Sequence, residues 1–144
     1  TIISSSNATT WTARTSGTSQ NLFGNTYGNG LFVAVGASGT ILNSSDGISW
    51  TSRTSGTSTS LWGVGYGNGL YVVLGSSGTI LTSSDGSTWT SRTSGTSQSI
   101  MKVAYGNGLF VVVGNAGTII TSSDGVTWTS RTSGTSGSLY NVTY

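Results

Sequence analysis

The sequence contains no proline, cysteine or histidine, and its only acidic residues are three aspartates, because glutamate is also missing. Without cysteine no disulfide bond can form, and without cysteine and histidine the usual zinc sites are excluded. The serine hydroxyls have neither histidine nor glutamate beside them to act as a base for nucleophilic catalysis. Charged residues make up only 6% of the chain. The composition therefore predicts a protein that is not an enzyme and that carries no metal and no cofactor.

Long apolar runs and a strong net charge are missing as well. No stretch approaches the roughly 18 apolar residues of a membrane-spanning helix, and no basic segment precedes an apolar run as in a secretory leader. The net charge of +2 is too small for a nucleic-acid-binding surface. Five tryptophans and six tyrosines can build a core, whereas disordered chains combine low hydrophobicity with high net charge. We expect one folded domain over residues 1–144, with no membrane or nucleic-acid partner.

A tandem repeat of 39 residues organises the chain. YGNGL and SSDG each occur three times at this spacing, and tryptophan occurs four times. Within a unit, apolar runs alternate with turn signals, and no segment shows the period of 3.6 that is typical of a helix. Each unit is therefore predicted to be an antiparallel meander of four strands, called A to D. The repeated tryptophans are Trp11, Trp50, Trp89 and Trp128.

The unit of residues 59–97 illustrates the prediction. Asn68-Gly69 is a strong hairpin signal, because both residue types tolerate positive φ. The apolar run LYVVL that follows fits a strand covered on both faces. The expected strands A to D of this unit are residues 61–66, 70–74, 79–82 and 88–93.

Four-stranded units of about 40 residues without helices predict an all-β fold, a β-propeller with radially packed blades. A solenoid is the weaker alternative, since its coils seldom carry two tight hairpin turns. The chain begins at strand C and ends at strand A, so two partial blades could close one ring, or several copies could form a larger ring. A fragment of a longer chain is the third reading, and assembly or truncation is favoured over a closed monomer. The predicted division is a partial blade of strands C and D (1–19), three blades (20–58, 59–97 and 98–136) and a partial blade of strand A (137–144).

The SSDG turn, followed by a hydrophobic or small residue, Ser or Thr, and Trp, resembles the Asp-box repeat, also called the bacterial neuraminidase repeat. Such repeats occur in sialidase-like propellers and in proteins of the photosystem II stability and assembly factor type. The resemblance implies a structural turn between strands C and D, with the Asp bonded to backbone amides and the Trp packed in the blade. The first copy carries Asn7 in place of Asp, and the spacing from Asp to Trp is one residue shorter than in the commonest form. The resemblance implies no particular activity. The matching residues are Ser44, Asp46 and Trp50; Ser83, Asp85 and Trp89; and Ser122, Asp124 and Trp128.

Differences between the units concentrate at one end of the blades. An antiparallel meander places the D-to-A linkers and the B-to-C turns at that end, and most of the varying positions belong to these segments or to the start of strand A. Aromatic and amide side chains there would suit a sugar. One such position holds Phe23, Trp62, Met101 and Tyr140 in successive units, and large apolar residues are usually buried, so we expect it mainly in the core. The candidate ligand-binding residues are Trp62, Gln98, Lys102, Asn115, Tyr140 and Asn141.

These observations lead to a functional hypothesis. We expect a non-catalytic binding or adhesion module that recognises a glycan or another protein, located outside the cell or on a cell or virion surface. A structural or assembly scaffold is the alternative, and a degenerate sialidase-type hydrolase ranks last, since glutamate is missing. A homo-oligomer that completes the ring is a further expectation.

Overall fold

The computed structural model describes every residue, 1–144. It contains fourteen β-strands in one two-stranded and three four-stranded antiparallel sheets, each sheet running in chain order. The only helical elements are three 3₁₀ turns of three residues each, and no helix has the length and apolar character needed to cross a membrane. The all-β prediction is confirmed. The strands are β1 (Ile2–Ser4) and β2 (Thr12–Arg14) in the N-terminal sheet; β3 (Leu22–Gly28), β4 (Leu31–Gly36), β5 (Ile41–Ser44) and β6 (Thr51–Arg53) in blade 2; β7 (Leu61–Gly67), β8 (Leu70–Gly75), β9 (Ile80–Ser83) and β10 (Thr90–Arg92) in blade 3; and β11 (Ile100–Gly106), β12 (Leu109–Gly114), β13 (Ile119–Ser122) and β14 (Thr129–Arg131) in blade 4.

Strands A and B of each full blade are joined by a two-residue hairpin turn. In blade 3 the turn residues Asn68 and Gly69 both have positive φ, 49° and 73°. Turns of this hand match the right-handed twist of the flanking strands. The predicted hairpins therefore form at the three YGNG segments, where Asn29 and Asn107 have φ values of 47° and 48°.

Strands B and C are joined by a 3₁₀ turn that receives the linker leaving strand D. In blade 3 this turn is Ser76–Gly78, and Gly78 has a φ of +69°. A Cβ atom on Gly78 would lie 2.0 Å from the carbonyl oxygen of Thr96 in the linker. Glycine is therefore required here both by the left-handed backbone and by the close approach of the linker. Gly39 and Gly117 are placed in the same way.

The core lies between blades. Each blade has a forward face, turned to the following blade, and a rear face, turned to the preceding one. The forward face of blade 2 packs on the rear face of blade 3, and the forward face of blade 3 packs on the rear face of blade 4. The valine-rich strand β8 of blade 3 is thus sealed between two sheets, as predicted, whereas β4 and β12 enter these cores with the face that meets blade 3. The first core consists of Val33, Val35 and Ile41 against Leu61, Val64, Tyr71, Val73 and Leu81; the second consists of Val72, Leu74 and Ile80 against Ile100, Val103, Phe110, Val112 and Ile120.

The innermost strands approach each other closely through small residues. A Cβ atom on Gly63 in β7 would lie 2.2 Å from the carbonyl oxygen of Met101 in β11. At the far end of strand A, a Cβ atom on Gly28 would lie 2.2 Å from Cγ of Tyr66 in the next blade. The tyrosine ring therefore covers a glycine of the preceding blade. Gly67 with Tyr105 and Gly106 with Tyr144 repeat this contact.

The C-terminal residues 137–144, the expected strand A of a partial blade, form no strand. In the full blades strand A pairs with the strand that follows it in the chain. The segment nevertheless lies along blade 4, since Leu139 N–H donates to the carbonyl oxygen of Gly114 at 2.9 Å and the Tyr144 ring covers Gly106.

Candidate functional site

The turn between strands C and D is held together by the aspartate of each SSDG segment. In blade 2, Asp46 Oδ1 accepts hydrogen bonds from the N–H groups of Ile48 and Ser49, both at 2.8 Å. Ser44 Oγ donates to the same oxygen at 2.9 Å and accepts from Gly47 N–H at 2.9 Å. The side chains thus satisfy amides that the turn leaves without a strand partner. Asp85 and Asp124 make the same bonds in blades 3 and 4.

These hydrogen bonds keep the aspartates ionised. The backbone amides of the turn, Ser49 first and then Ile48, lower the pKa of Asp46 from 3.8 to about 2. The corresponding amides, first Thr127, lower the pKa of Asp124 to about 2, and the pKa of Asp85 is lowered in the same way. A carboxyl with so low a pKa cannot act as a general acid near neutral pH. No group of three or more His, Cys, Asp or Glu residues is arranged to hold a metal ion.

The N-terminal copy of the turn works without a carboxylate. Asn7 Oδ1 accepts from the N–H groups of Thr9 and Thr10 at 3.0 and 2.9 Å, and Ser5 Oγ donates to it at 3.1 Å. The amide oxygen of asparagine therefore replaces the carboxylate oxygen bond for bond. The geometry of this turn requires an acceptor and no negative charge.

The repeated tryptophans complete an aromatic row across each blade. In blade 3 the ring centroids of Tyr66 and Tyr71 are 4.7 Å apart, and those of Tyr71 and Trp89 are 6.4 Å apart. Trp89 Nε1 is buried without a hydrogen-bond partner, and so is Trp50 Nε1. Trp128 Nε1 donates to Gly125 O at 3.2 Å. The rings of Trp50, Trp89 and Trp128 are half-buried and cover the end of the core, whereas Trp11 is 57% exposed.

The D-to-A linkers and the B-to-C turns form the opposite end of the blades, here called the linker face. Ser55 Oγ folds back within its linker, donating to the carbonyl of Thr57 at 3.1 Å and accepting from its N–H at 3.3 Å. A groove of about 700 Å³ runs along this face between the linkers that follow blades 2 and 3. It is lined mainly by Ser, Thr and Gly, with Arg92 as its charged residue. The groove offers hydroxyl and backbone groups, but no acid or base.

A β-bulge at the start of strand A places the most variable position of the repeat at the inner rim of the linker face. In blade 3 the pairing shifts between Leu61 and Gly63, so that Trp62 is the extra residue. Bulges change the direction of a side chain. Trp62 Nε1 donates to Ser76 Oγ in the B-to-C turn at 3.0 Å, and its ring stacks on Phe23 with centroids 4.7 Å apart.

This position forms a row of large side chains, here called the rim row: Phe23, Trp62, Met101 and Tyr140. Trp62 and Met101 are half-buried, whereas Phe23 is 42% exposed and Tyr140 is 71% exposed. The expectation that these residues lie mainly in the core is therefore wrong. The shifted pairing at the bulge takes the position out of the alternation that places strand residues between the blades. A sequence gives no direct sign of a bulge here, because the apolar character of this position fits a core residue equally well.

The other predicted ligand-binding residues surround this row unevenly. Gln98 is exposed in the linker before blade 4, where its N–H donates to Thr96 Oγ1 at 3.1 Å. Asn115 begins the B-to-C turn of the same blade. Lys102 is exposed and follows Met101 of the rim row, and Asn141 is exposed next to Tyr140. Their common role in binding stays a prediction.

A second cavity lies beside the N-terminal sheet and along the rear face of blade 2. This cleft has a volume of about 960 Å³ and is lined by apolar residues that include Ile3, Trp11 and Phe32. The only lysine, Lys102, and the rim residue Phe23 also line it. The N-terminal sheet has strands C and D only, so the cleft lies beside the edge where a full blade would have strand B.

The arginines at the end of strand D have a structural role that the sequence analysis did not identify. Arg92 Nε donates to Thr82 Oγ1 of strand C at 2.9 Å. In blade 2 the residue equivalent to Thr82 is Asn43, and its Nδ2 donates to Gly86 O in the next blade at 2.9 Å. Arg53, the equivalent of Arg92, therefore has an Nε that is buried without a partner. The recurring ten-residue separation between Arg and Ser or Thr is the sequence signal. The same pairs are Arg14 with Ser4 and Arg131 with Thr121.

Comparison with known proteins supports the fold. No protein-family model and no curated protein sequence matches the chain. Among solved structures it is similar to YCF48 from Cyanidioschyzon merolae, with a TM-score of 0.65 and 22% sequence identity. The match covers 77% of this chain and 37% of that one, so the chain spans little more than a third of this neighbour's length. The three full sheets of this protein are therefore blades of a β-propeller fold.

Proposed function

We propose that this protein is a non-catalytic propeller scaffold that binds a protein partner through the rim row. The observation that carries the proposal is the stacked pair of Phe23 and Trp62 at the edge of the linker face. Aromatic side chains that are partly exposed at a rigid surface are typical anchors of protein interfaces. The bulges fix Phe23, Trp62 and Met101 on strands rather than on loops, so this part of the surface is preformed.

The chemistry of the rest of the molecule supports a scaffold. The three aspartates hold turns with lowered pKa values, and the groove on the linker face contains no base. The repeat resembles repeats of the photosystem II stability and assembly factor type, and the solved structure of YCF48 has a similar fold. Because of this likeness, a protein is the first class of partner to test.

A matched pair of variants tests the proposal. Phe23→Ser with Trp62→Ser removes the stacked pair, whereas Ile48→Ser changes an exposed apolar residue at the opposite end of the blades. Ile48 is a suitable control because the equivalent residue of blade 3 is Ser87. Cross-linking and affinity capture from an extract of the source organism should recover a discrete partner with wild type and with Ile48→Ser, and lose it with the double variant. Capture that survives the double variant would place the binding surface elsewhere.

A glycan is the second candidate ligand. It is favoured by the 71% exposed ring of Tyr140 next to the exposed amide of Asn141, since a flat apolar ring and an amide suit the two sides of a sugar. A glycan array probed with wild type and with Tyr140→Ala would separate the two candidates. Turnover of a sialoside or another glycoside by the purified protein would refute the non-catalytic part of the proposal. A location outside the cell or on a cell or virion surface stays a prediction.

A further inference from the structure

The two ends of the blade stack expose residues that are more buried in the other copies of the repeat. Ile3 of the N-terminal sheet is 54% exposed, whereas Leu42, its equivalent in blade 2, is 1% exposed. Leu81 and Ile120 at the same position are also buried in the rear faces of blades 3 and 4. Trp11 is the most exposed of the four repeated tryptophans, at 57%. The rear face of the N-terminal sheet is therefore an interblade face that is uncovered in this structure.

The forward face of blade 4 is uncovered as well, as its leucine shows. Leu31 on the forward face of blade 2 points its Cδ2 atom at Gly86 of blade 3, 2.5 Å from the position of a Cβ atom. Leu70 meets Gly125 of blade 4 in the same way, at 2.4 Å. The third equivalent leucine, Leu109, has no such glycine in front of it and is 37% exposed. The forward face of blade 4 thus has the leucine of the repeated interface without the glycine that receives it.

Part of the missing blade is already supplied by the C-terminal segment. Tyr144 covers Gly106 as Tyr66 covers Gly28, which places the segment where strand A of the next blade would lie. Leu139 and Val142 stand at the repeat positions of Leu61 and Val64 in the rear face of blade 3. Strands C and D of such a blade are what the N-terminal sheet consists of.

The exposure of these segments shows that they do not cover each other within one chain. Ile3 and Trp11 remain more than half exposed, and Tyr144 is 84% exposed. We propose that copies of this chain associate head to tail. The C-terminal segment of one copy and the N-terminal sheet of the next then share one blade on the forward face of blade 4. The occupant is a second copy because the faces are sequence repeats of the interfaces that already pack between blades 2, 3 and 4.

The proposed interface is heterologous, since two different surfaces meet, and it therefore generates a closed ring or an open filament. The forward face of blade 4 carries Lys102, which pairs with Val113, and Arg131, which pairs with Ile119. Arg131 donates to Thr121 Oγ1 at 2.9 Å, just as Arg92 donates to Thr82 Oγ1 in the forward face of blade 3, which packs on blade 4. The arginine is therefore part of an interface that already forms, and the net charge of a copy is only +2. The inference does not rest on the proposed function, which is carried by the stacked pair of Phe23 and Trp62 in blades 2 and 3. Only Tyr140 of the rim row lies in the C-terminal segment.

One residue in the receiving turn allows a gain-of-association test. The turn that would face Leu109 carries Ala8, with a φ of 58°, where blades 3 and 4 have Gly86 and Gly125. The methyl group of Ala8 occupies space that the leucine uses in the other interfaces. We expect Ala8→Gly to strengthen the association, visible as assembly at a lower protein concentration than for wild type.

The mass in solution tests the proposal. Light scattering and native mass spectrometry of wild type should give multiples of the 14.6 kDa chain, and Leu109→Asp or Ile3→Asp should give the single chain. The control Val126→Asp lies at an exposed position whose equivalent in blade 3 is Ser87, and it should assemble as wild type does. Circular dichroism establishes that each variant is folded.

Mixing the two interface variants distinguishes a head-to-tail contact from a symmetric one. A Leu109→Asp copy keeps an intact N-terminal end, and an Ile3→Asp copy keeps an intact C-terminal end. An equimolar mixture should form a dimer of one copy each and nothing larger. A wild type that stays at 14.6 kDa at high concentration, or a mixture in which no heterodimer forms, would overturn the proposal.

Discussion

Alanine substitution of the glycines in the C-to-D turns measures how strongly the leucine contact holds neighbouring blades together. Gly47 and Gly86 occupy the same turn position with nearly the same φ, +69° and +66°. A left-handed alanine costs about 1–2 kcal/mol relative to glycine, so both substitutions share this backbone strain. The surroundings differ, because a Cβ atom on Gly47 would lie 3.5 Å from Phe32, whereas one on Gly86 would lie 2.5 Å from Leu31 Cδ2.

The second contact is too short for two carbon atoms, so the leucine has to move within a filled core. Inserting a methyl group into a well-packed core costs about 1–3 kcal/mol. We therefore expect Gly47→Ala to lower the free energy of unfolding by about 1–2 kcal/mol and Gly86→Ala by about 2–5 kcal/mol. Urea denaturation followed by tryptophan fluorescence measures both, provided that the m-value is unchanged.

A double-mutant cycle isolates the contact itself. In the background of Leu31→Ala the space in front of Gly86 is open, so Gly86→Ala should then cost no more than Gly47→Ala. Equal costs for the two glycines in the wild-type background would refute the reasoning, because backbone strain alone would then explain both. Ala8 at the equivalent position of the N-terminal turn, with a φ of 58°, is the natural instance of an alanine without a facing leucine.

Two further predictions concern single hydrogen-bonding groups. Tyr71 OH donates to the carbonyl oxygen of Gly28, and burial raises the pKa of this hydroxyl. Tyr71→Phe should therefore lower the free energy of unfolding, measured by urea denaturation, by about 1 kcal/mol, whereas Phe110→Tyr, at the equivalent position of blade 4, should leave it unchanged or raise it. An unchanged free energy for Tyr71→Phe would show that the hydrogen bond contributes nothing. The aspartates predict the acid response: their pKa values are lowered on folding, so their contribution is fully present above the unfolded value of 3.8 and is lost as the pH falls to about 2. Replacing all three by asparagine, as Asn7 does in the first turn, should keep the fold and flatten the loss of stability between pH 4 and 2, and an unchanged acid transition would contradict this explanation.

Features of the site that depend on contacts between residues close in sequence could be predicted, whereas features that depend on packing between blades could not. The turn chemistry is local, because an aspartate or asparagine reaches amides only two and three residues away. The length of strand D was overestimated in blade 3, where Thr88 N–H is bound by Asp85 and the strand begins only at Thr90. Even this difference has a local cause, since the turn competes with the strand for the same amides.

The rim row and the arginine pairs depend on neighbours that a single repeat does not contain. Trp62 lies at a bulge whose stacking partner is Phe23, 39 residues earlier in the chain. Arg53 loses its partner because Asn43 is drawn to Gly86 of the next blade. Both outcomes are decided by the packing of one blade on another, so a pattern of apolar and polar residues within the unit could not reveal them.

The sequence by itself determined the repeat, the hairpin turns and the strand order within a blade, because each of these follows from residue type and from contacts over a few positions. Only the tertiary structure decided which repeated residues are buried. Identical positions differ in exposure, as Ile3 and Leu42 do, because burial depends on whether another blade lies in front of them. The physical reason is that a blade cannot cover its own two faces, so the environment of each residue is set by its neighbours in space.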